Sequence, residues 1–491
     1  MKKISILFVA LIGLFSASCD KDFEEVNTTP NNPVAVPAHL MLGTIVRVNQ
    51  NTIYDMFNGG DMGMCWAQQV SKVQYNDEER YIPRIGSMDA IWNTLYASVI
   101  SDAKSMYLLA EAEENTNLMA ISLVLQANAF QILTDLYGPI PFTESSVPGN
   151  LKPKYDSQEV VYDGIIDMLT QAETLLATGS GVVPASSDLV YAGNVSKWRK
   201  LANSLKFKAL MRISKAPGQS VSAELQALVN GGQLFSSNAD SAQLNYLAAQ
   251  PDSNPIYETI IFGTRSEYKV SSVMIAGNYN ATTNPNGFKG LTLLNDPRIE
   301  VFAKKNTAGN YVGNIPGVEN VSSYGAFSSL GTKYLDPTLP GVILSNAQVQ
   351  FLLAEAANEG YITGGVVDAQ AYYFKGIKAN FEFNGIGGLA NAYTTSQVNL
   401  GFATQTGGKQ KIAEQSWIAL FGQGFEAWTE YRRTGFPVLS AVANAAPGVT
   451  VVPTRLRFNS LEVSLNKANY EAAVSTLVGG DNLTSRLWWM N

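Results

Sequence analysis

Apolar positions recur at helical spacing in several separate stretches of the chain. Between 88 and 137, Ile91, Leu95 and Val99 step by four, and Trp92, Tyr96, Ile100, Ala103 and Tyr107 form a second stripe beside them. Together they make one broad apolar face, the signature of a helix packed on a core. Ser87 stands where an N-cap would begin this helix. Asn115-Thr116-Asn117 breaks the pattern, and Ile121, Val124, Leu125, Ala129, Ile132 and Leu136 then mark a second helix that Gly138-Pro139 stops. The plan returns at 157–214, where Val161, Ile165, Leu169 and Leu176 precede a Gly/Ser/Pro-rich break and Trp198, Leu201, Leu205 and Ile213 follow it. A third pair spans 346–381, opened by a capping box of Ser345 and Gln348 and faced by Phe351, Leu352, Ala356, Ala371, Phe374, Ile377 and Phe381. A fourth runs over 411–433 through Ile412, Trp417, Leu420, Phe425, Trp428 and Tyr431. Helix pairs with small residues at packing positions suggest tetratricopeptide-like units. The pairs are not contiguous, which excludes a plain solenoid.

Residues 216–340 read differently. They are rich in Gly, Asn, Ser, Thr and Tyr, lack a sustained helical period, and contain the turn-dense GNYNATTNPNGFKG at 277–290. Such a long irregular insertion on a rigid scaffold is the expected place for function. A second irregular stretch covers 435–491.

The N-terminus carries an address. Lys2 and Lys3 precede an uncharged apolar run at 4–15, and the small residues Ser16, Ala17 and Ser18 stand directly before Cys19. The run is too short for a permanent span and has the layout of a signal peptide over 1–18. A cysteine right after the small residues is the bacterial lipobox arrangement, with Ser16 in place of the usual leucine. Cys19 is therefore the expected lipidation site. The acidic, then Asn/Thr/Pro-rich segment 19–37 is the expected flexible tether, and 38–491 the body. No other stretch reads as a membrane span.

Composition narrows the chemistry. Of 491 residues, 46% are hydrophobic and only 15% charged, with a net charge of −7. Nucleic-acid binding, which needs a basic face, is excluded. The polar remainder favours hydrogen bonding and aromatic contact over charge. With Cys19 lipidated, Cys65 is the other cysteine, and His39 is the single histidine. A disulfide framework, a cysteine or histidine metal site and a His-based triad are all ruled out by count. The sequence offers no cofactor motif.

Several segments together resemble the SusD/RagB family of outer-membrane nutrient-binding lipoproteins, in its SusD-like branch. They are DLYGPIPF (135–142), GNVSKWRKLANSLKFKALMRIS (193–214), NDPRIEVFAK (295–304) and ILSNAQVQFLLAEAANEGY (343–361), then QSWIALFGQGFEAWTEYRRTGFP (415–437), PTRLRFNSLEVSLN (453–466) and RLWW (486–489). They fall in family order over nearly the whole mature chain. The resemblance implies an all-α body, a scaffold of about four tetratricopeptide-like helix pairs with a long loop-rich insertion, a non-enzymatic role, and a lipid-anchored place on the cell surface at the outer membrane. It also implies a SusC-type TonB-dependent barrel as partner, and capture of an oligosaccharide delivered to that transporter. Asp296, Arg298, Glu355, Glu426, Arg432 and Arg433 fit a scaffold of ion pairs better than an active site, and Trp92, Trp198, Trp417 and Trp428 fit the core.

Ligand contacts are expected on loops. One group precedes the first pair and holds Trp66, Tyr75 and Tyr81, with Gln74, Asn76 and Arg80 beside them. The other lies in the insertion and holds Tyr268, Tyr279 and Tyr324. Aromatic rings cover the apolar faces of sugars and amides bond their hydroxyls. Two other functions stay open: a binder of peptide or another non-glycan nutrient, and an all-α glycoside hydrolase, which would need a pair of carboxylates about 5 to 9.5 Å apart.

Overall fold

The computed structural model describes residues 36–319, 323–396 and 401–490. The signal peptide, Cys19 and all but the last two residues of the tether lie outside them. The described chain is mostly helical. It opens with α1 (His39–Tyr54), which no sequence signal announced, and passes into a π-helical segment, Met56–Met64. The first pair follows. Helix α2 (Ile85–Thr94) runs through the π-helical turn Leu95–Ile100 into α3 (Ser101–Ala112), which packs on α4 (Thr116–Tyr137). Helices α5 (Gln158–Ala177) and α6 (Val195–Ile213) make the second pair. Helices α8 (Asn346–Asn358) and α9 (Gly365–Phe383) make the third, and α10 (Gln405–Ala419) and α11 (Gly424–Thr434) the fourth. Between pairs two and three sits α7 (Ser222–Gly231), and α12 (Lys467–Thr476) lies near the C-terminus.

The caps explain where these helices begin. The side chains of Asn115, Ser157, Asn194, Ser345 and Thr404 each accept a hydrogen bond from a backbone N–H of the first turn of α4, α5, α6, α8 and α10. Gly138, with φ 91°, ends α4. Two expectations are corrected. Ser87 lies inside α2, whose N-cap is Arg84. The Ser345 box closes on one side only: Gln348 donates its N–H to Ser345 Oγ at 3.1 Å, but its side chain turns away to Glu426 at 2.8 Å. The insertion is also less irregular than it reads, for it holds α7. That helix buries Leu225 alone, too thin a stripe to show in the sequence. Helix α4 is long and apolar enough to cross a membrane by length and composition, contrary to the sequence expectation. It owes that composition to burial on nearly every side, as in any central core helix.

A buried polar network ties the pairs together. Glu426 on α11 accepts from Arg212 (2.6 Å) and Lys208 (3.4 Å) on α6 and from Gln348 on α8. Arg212 also meets Asp135 on α4 at 3.2 Å, and Tyr162 on α5 donates to Asp135 at 2.5 Å. Arg433 binds Glu355 and Glu430. Arg298, fully buried, pairs with Asp296 at 2.6 Å and reaches Asn380 and Gln415. Trp92, Trp198, Trp417 and Trp428 are all in the core.

Strands are few and short. β1 (Val70–Lys72) pairs antiparallel with β3 (Tyr268–Val270), and β2 (Ala242–Leu244) with β4 (Gly341–Leu344). The first ribbon matters most, because it joins the loops before α2 to the insertion.

Candidate functional site

The β1–β3 ribbon sets Val70 opposite Val270 and Lys72 opposite Tyr268. Beneath it lies a sealed charge cluster. Lys72, with no exposed side chain, donates to Asp61 at 3.0 Å and Glu78 at 3.4 Å, and its backbone N–H bonds Glu79 at 3.0 Å. Tyr268 Oη donates to Asp61 at 2.8 Å. Burial pushes the Asp61 carboxyl up to about 6 and that of Glu79 up to about 7, against the pull of Lys72. Burial also drives the Cys65 thiol upward, so this buried cysteine is inert at neutral pH. The π-helical segment is held against the start of α11 by glycines: a Cβ on Gly63 or Gly424 would run into the opposing backbone.

This base settles the fate of the six predicted rings. Trp66, Tyr81 and Tyr268 are buried and offer no face to a ligand. Trp66 Nε1 donates to the Glu78 carbonyl at 2.8 Å and the ring packs edge-on against Trp428. Tyr81 Oη accepts from the Val442 N–H at 3.0 Å. They are packing residues that hold the loops, a correction that follows from tight burial of large rings. Asn76 and Arg80 are likewise spent on backbone carbonyls, of Val318 and Asn444.

Tyr75 and Tyr324 come into one neighbourhood through Gln74. Tyr75 is 59% exposed and adopts φ 54°, a left-handed conformation, three residues beyond the end of β1. Tyr324 Oη donates to Gln74 Oε1, the neighbour of Tyr75, while Lys269 lies 5.7 Å from its ring centre. Burial and then the nearby Glu267 and Tyr75 raise the Tyr324 phenol, which stays a neutral donor. Arg265 sits 5.4 Å from the Tyr75 ring centre and 5.2 Å from that of Phe57, and Arg84 lies 5.3 Å from the Phe57 ring centre. Glu267 and Glu78 fix these two arginines. The result is a patch of aromatic rings and guanidinium planes beside the Gln74 amide, with the carboxylates of Glu78 and Glu267 buried behind the arginines. Phe57 and Arg265 were missed in the sequence, since neither stands in an aromatic-rich segment. Tyr279 lies apart, half-buried, under the Lys289 ammonium at 5.5 Å.

A helical-repeat scaffold that presents rings and hydrogen-bonding groups on its loops has the chemistry of a binding protein. The family model for SusD-like proteins, described as starch-binding and associating with the outer membrane, matches residues 30–459, and the chain belongs to this family. A chitin-binding protein of known structure is 26% identical, with a TM-score of 0.77 over 92% of this chain and 97% of that one. A chitin-binding SusD homolog from Flavobacterium johnsoniae is 25% identical over 92% and 97%, TM-score 0.74. A SusD-like protein from Bacteroides thetaiotaomicron is 26% identical over 92% and 99%, also at 0.74. No curated protein matches the chain.

Proposed function

We propose that this protein captures a glycan at the cell surface and hands it to a SusC-type TonB-dependent barrel. In this proposal Cys19 carries the lipid that holds residues 38–491 to the outer membrane through the 19–37 tether. The observation that carries it is that exposed Tyr75 and half-buried Tyr324 are brought from distant loops into one neighbourhood with Arg265 and Gln74. Flat apolar rings flanked by donors and acceptors suit the CH faces and hydroxyl rims of sugars. Membership in the SusD-like family and the chitin-binding relatives point the same way. Binding without hydrolysis is favoured because Glu78 and Glu267 are engaged by arginines, whereas a hydrolase needs one carboxyl free to donate a proton.

The test is a glycan panel that includes chito- and malto-oligosaccharides, read by calorimetry and by product analysis. One class should bind without turnover. Tyr75→Ala and Tyr324→Ala should each weaken it about fivefold, the loss of roughly 1 kcal/mol of stacking. Unchanged affinity in both folded variants would move the site elsewhere. Cleaved product would replace binding by hydrolysis.

Anchoring has its own check. Cys19→Ala should shift the protein from the membrane to the soluble fraction with its helical circular dichroism intact, and the unmutated protein should co-purify with a barrel from native membranes. Persistent membrane fractionation of the variant would refute lipidation at Cys19.

A further inference from the structure

A groove of about 560 Å³ opens beside the first helix pair, and it shares no residue with the Tyr75–Tyr324 patch. One wall is helical, with Trp92, Tyr96, Ala97 and Ser101 in the run that joins α2 to α3. The other is the loop after α4, through Pro141, Val147, Pro148 and Pro153. Loop and helix are fastened together. Tyr96 Oη donates to the Pro141 carbonyl at 2.7 Å, and Lys104 on α3 to Ser145 Oγ at 3.0 Å. Asn466 donates to the Pro153 carbonyl at 2.8 Å, and Tyr155 to Glu462, which also lines the groove, at 2.9 Å. Apolar groups stay in the open nonetheless: Val147 is 46% exposed, and Leu151 on the same loop 87%. Clustered apolar exposure marks a contact surface.

The place where the chain enters the body points to the occupant. The Ala38 N–H donates to Glu113 Oε1 at 2.9 Å, just past the end of α3. Ser101, in the groove wall, begins that same helix, about 18 Å away along its axis. Leu108 lies between them, 63% exposed and on the same helix face as Ser101. Directly before Ala38 the sequence reads TPNNPVAVP (29–37), with Pro30 and Pro33 three apart. Polyproline II has three residues per turn, so both rings fall on one side of it. Aromatic-lined grooves take such segments because little entropy remains to be lost on binding. From Ala38 back to Pro30 this form reaches about 25 Å, past the near end of the groove. Charge agrees as well. Asp20, Asp22, Glu24 and Glu25 lie upstream of the prolines, and the exposed Lys152 and Lys154 flank Pro153 on the groove. Lys154 shares Asp156 at 3.7 Å, and Lys152 forms no ion pair among the described residues.

We propose that residues 30–35 dock in this groove as an intramolecular strap, with Pro30 and Pro33 beside Tyr96 and Val147, and so set the length of the lipid leash. Undocked, residues 20–37 span about 60 Å between Cys19 and the body when fully extended. Docked, the free part is residues 20–29, about 35 Å, and the reach of the body is roughly halved. Strap and groove belong to one chain, so the effective concentration is in the millimolar range and weak contacts suffice. The leash rests on Cys19 carrying a lipid, as proposed above; the docking does not depend on it.

The experiment uses the chain 19–491 with Cys19→Ala, in which the remaining thiol, Cys65, is buried and takes no label. Thr29→Cys and Asn32→Cys, each made in turn, carry a nitroxide on the strap. The spectra should show both labels immobilised, at any dilution of the protein. Pro30→Ser with Pro33→Ser, changes confined to the strap, should raise the ratio of mobile to immobile label about tenfold as two rings leave apolar contact. Ala97→Glu, at an exposed position of the helical wall, should do the same from the groove side, with circular dichroism and melting temperature unchanged. Labels mobile at both positions in the otherwise unaltered chain overturn the proposal. So do labels that stay immobile in both variants, which would seat the strap elsewhere on the body. Immobilisation that fades on dilution would give the groove to a second copy of the chain. Immobilisation seen only with phosphatidylglycerol vesicles would give the segment to a lipid surface. Either result overturns the intramolecular strap.

Discussion

Replacing Glu426 with alanine should lower the unfolding free energy by about 3 to 5 kcal/mol at pH 7, the cost of stranding buried partners. Arg212 and Lys208 would lose their shared counter-charge, and Gln348 would lose an acceptor. The damage reaches several helices, since Arg212 also holds Asp135 on α4. The effect has a defined pH dependence. Burial opposes the Glu426 charge, but Arg212 and Lys208 outweigh it and hold the carboxyl at about 2, against 4.5 when unperturbed. Its stabilisation is therefore complete above 4.5 and is lost as pH falls from there toward 2. Urea unfolding of the two proteins at pH 7 and pH 3 checks this. The gap between midpoints should be wide at pH 7 and narrower at pH 3. Equal midpoints at pH 7 would show that the network contributes nothing.

Lys72→Met should be nearly as severe, and its loss should also shrink toward acid, here because the stranded carboxyls take up protons. It removes the cation that pairs with Asp61 and that Glu78 shares with Arg84, beneath the β1–β3 ribbon, at a cost again of about 3 to 5 kcal/mol at pH 8. Asp61 Oδ2 and Glu79 Oε1 already lack partners, and burial has raised both carboxyls, to about 6 and about 7. A carboxyl whose pKa is raised in the folded state costs stability when ionised and regains it as pH falls through that value. The variant, with still less to oppose burial, should recover part of its loss between pH 8 and pH 5.5. Glycan affinity should fall with it, because Tyr75 and Arg265 stand at the ends of the strands that Lys72 and Tyr268 anchor. A thermal melt at both pH values, read with binding to the glycan found by the panel, decides it. A melting temperature equal to that of the unmutated protein at pH 8 would show that the carboxyls need no cation.

Much of the scaffold was legible in one dimension. Helices that bury a stripe must repeat apolar residues every three or four positions, so Ile91, Leu95 and Val99, or Trp198, Leu201 and Leu205, announce themselves. Caps are local too: Asn115, Ser157, Asn194 and Ser345 each bond a backbone N–H three residues on. The family resemblance rested on the same contiguous segments. Helix α1 escaped because its buried face mixes Asn49, Gln50 and Thr52 with Leu42, Ile45 and Val46, which blurs the stripe.

The candidate site was legible only as a list of loop rings. An aromatic residue in a Gly- and Asn-rich segment looks the same whether it ends in the core or in water. What separated Trp66, Tyr81 and Tyr268 from Tyr75 and Tyr324 was the three-residue ribbon and the charge cluster under it, joining groups such as Asp61 and Tyr268 that are 207 residues apart. The sequence by itself determined the helix pairs, their order and the family, because those depend on neighbours along the chain. Which rings face outward and which charges share a cluster was decided only by tertiary structure. Burial is a property of the packed body, and no local pattern encodes contacts between segments so far apart.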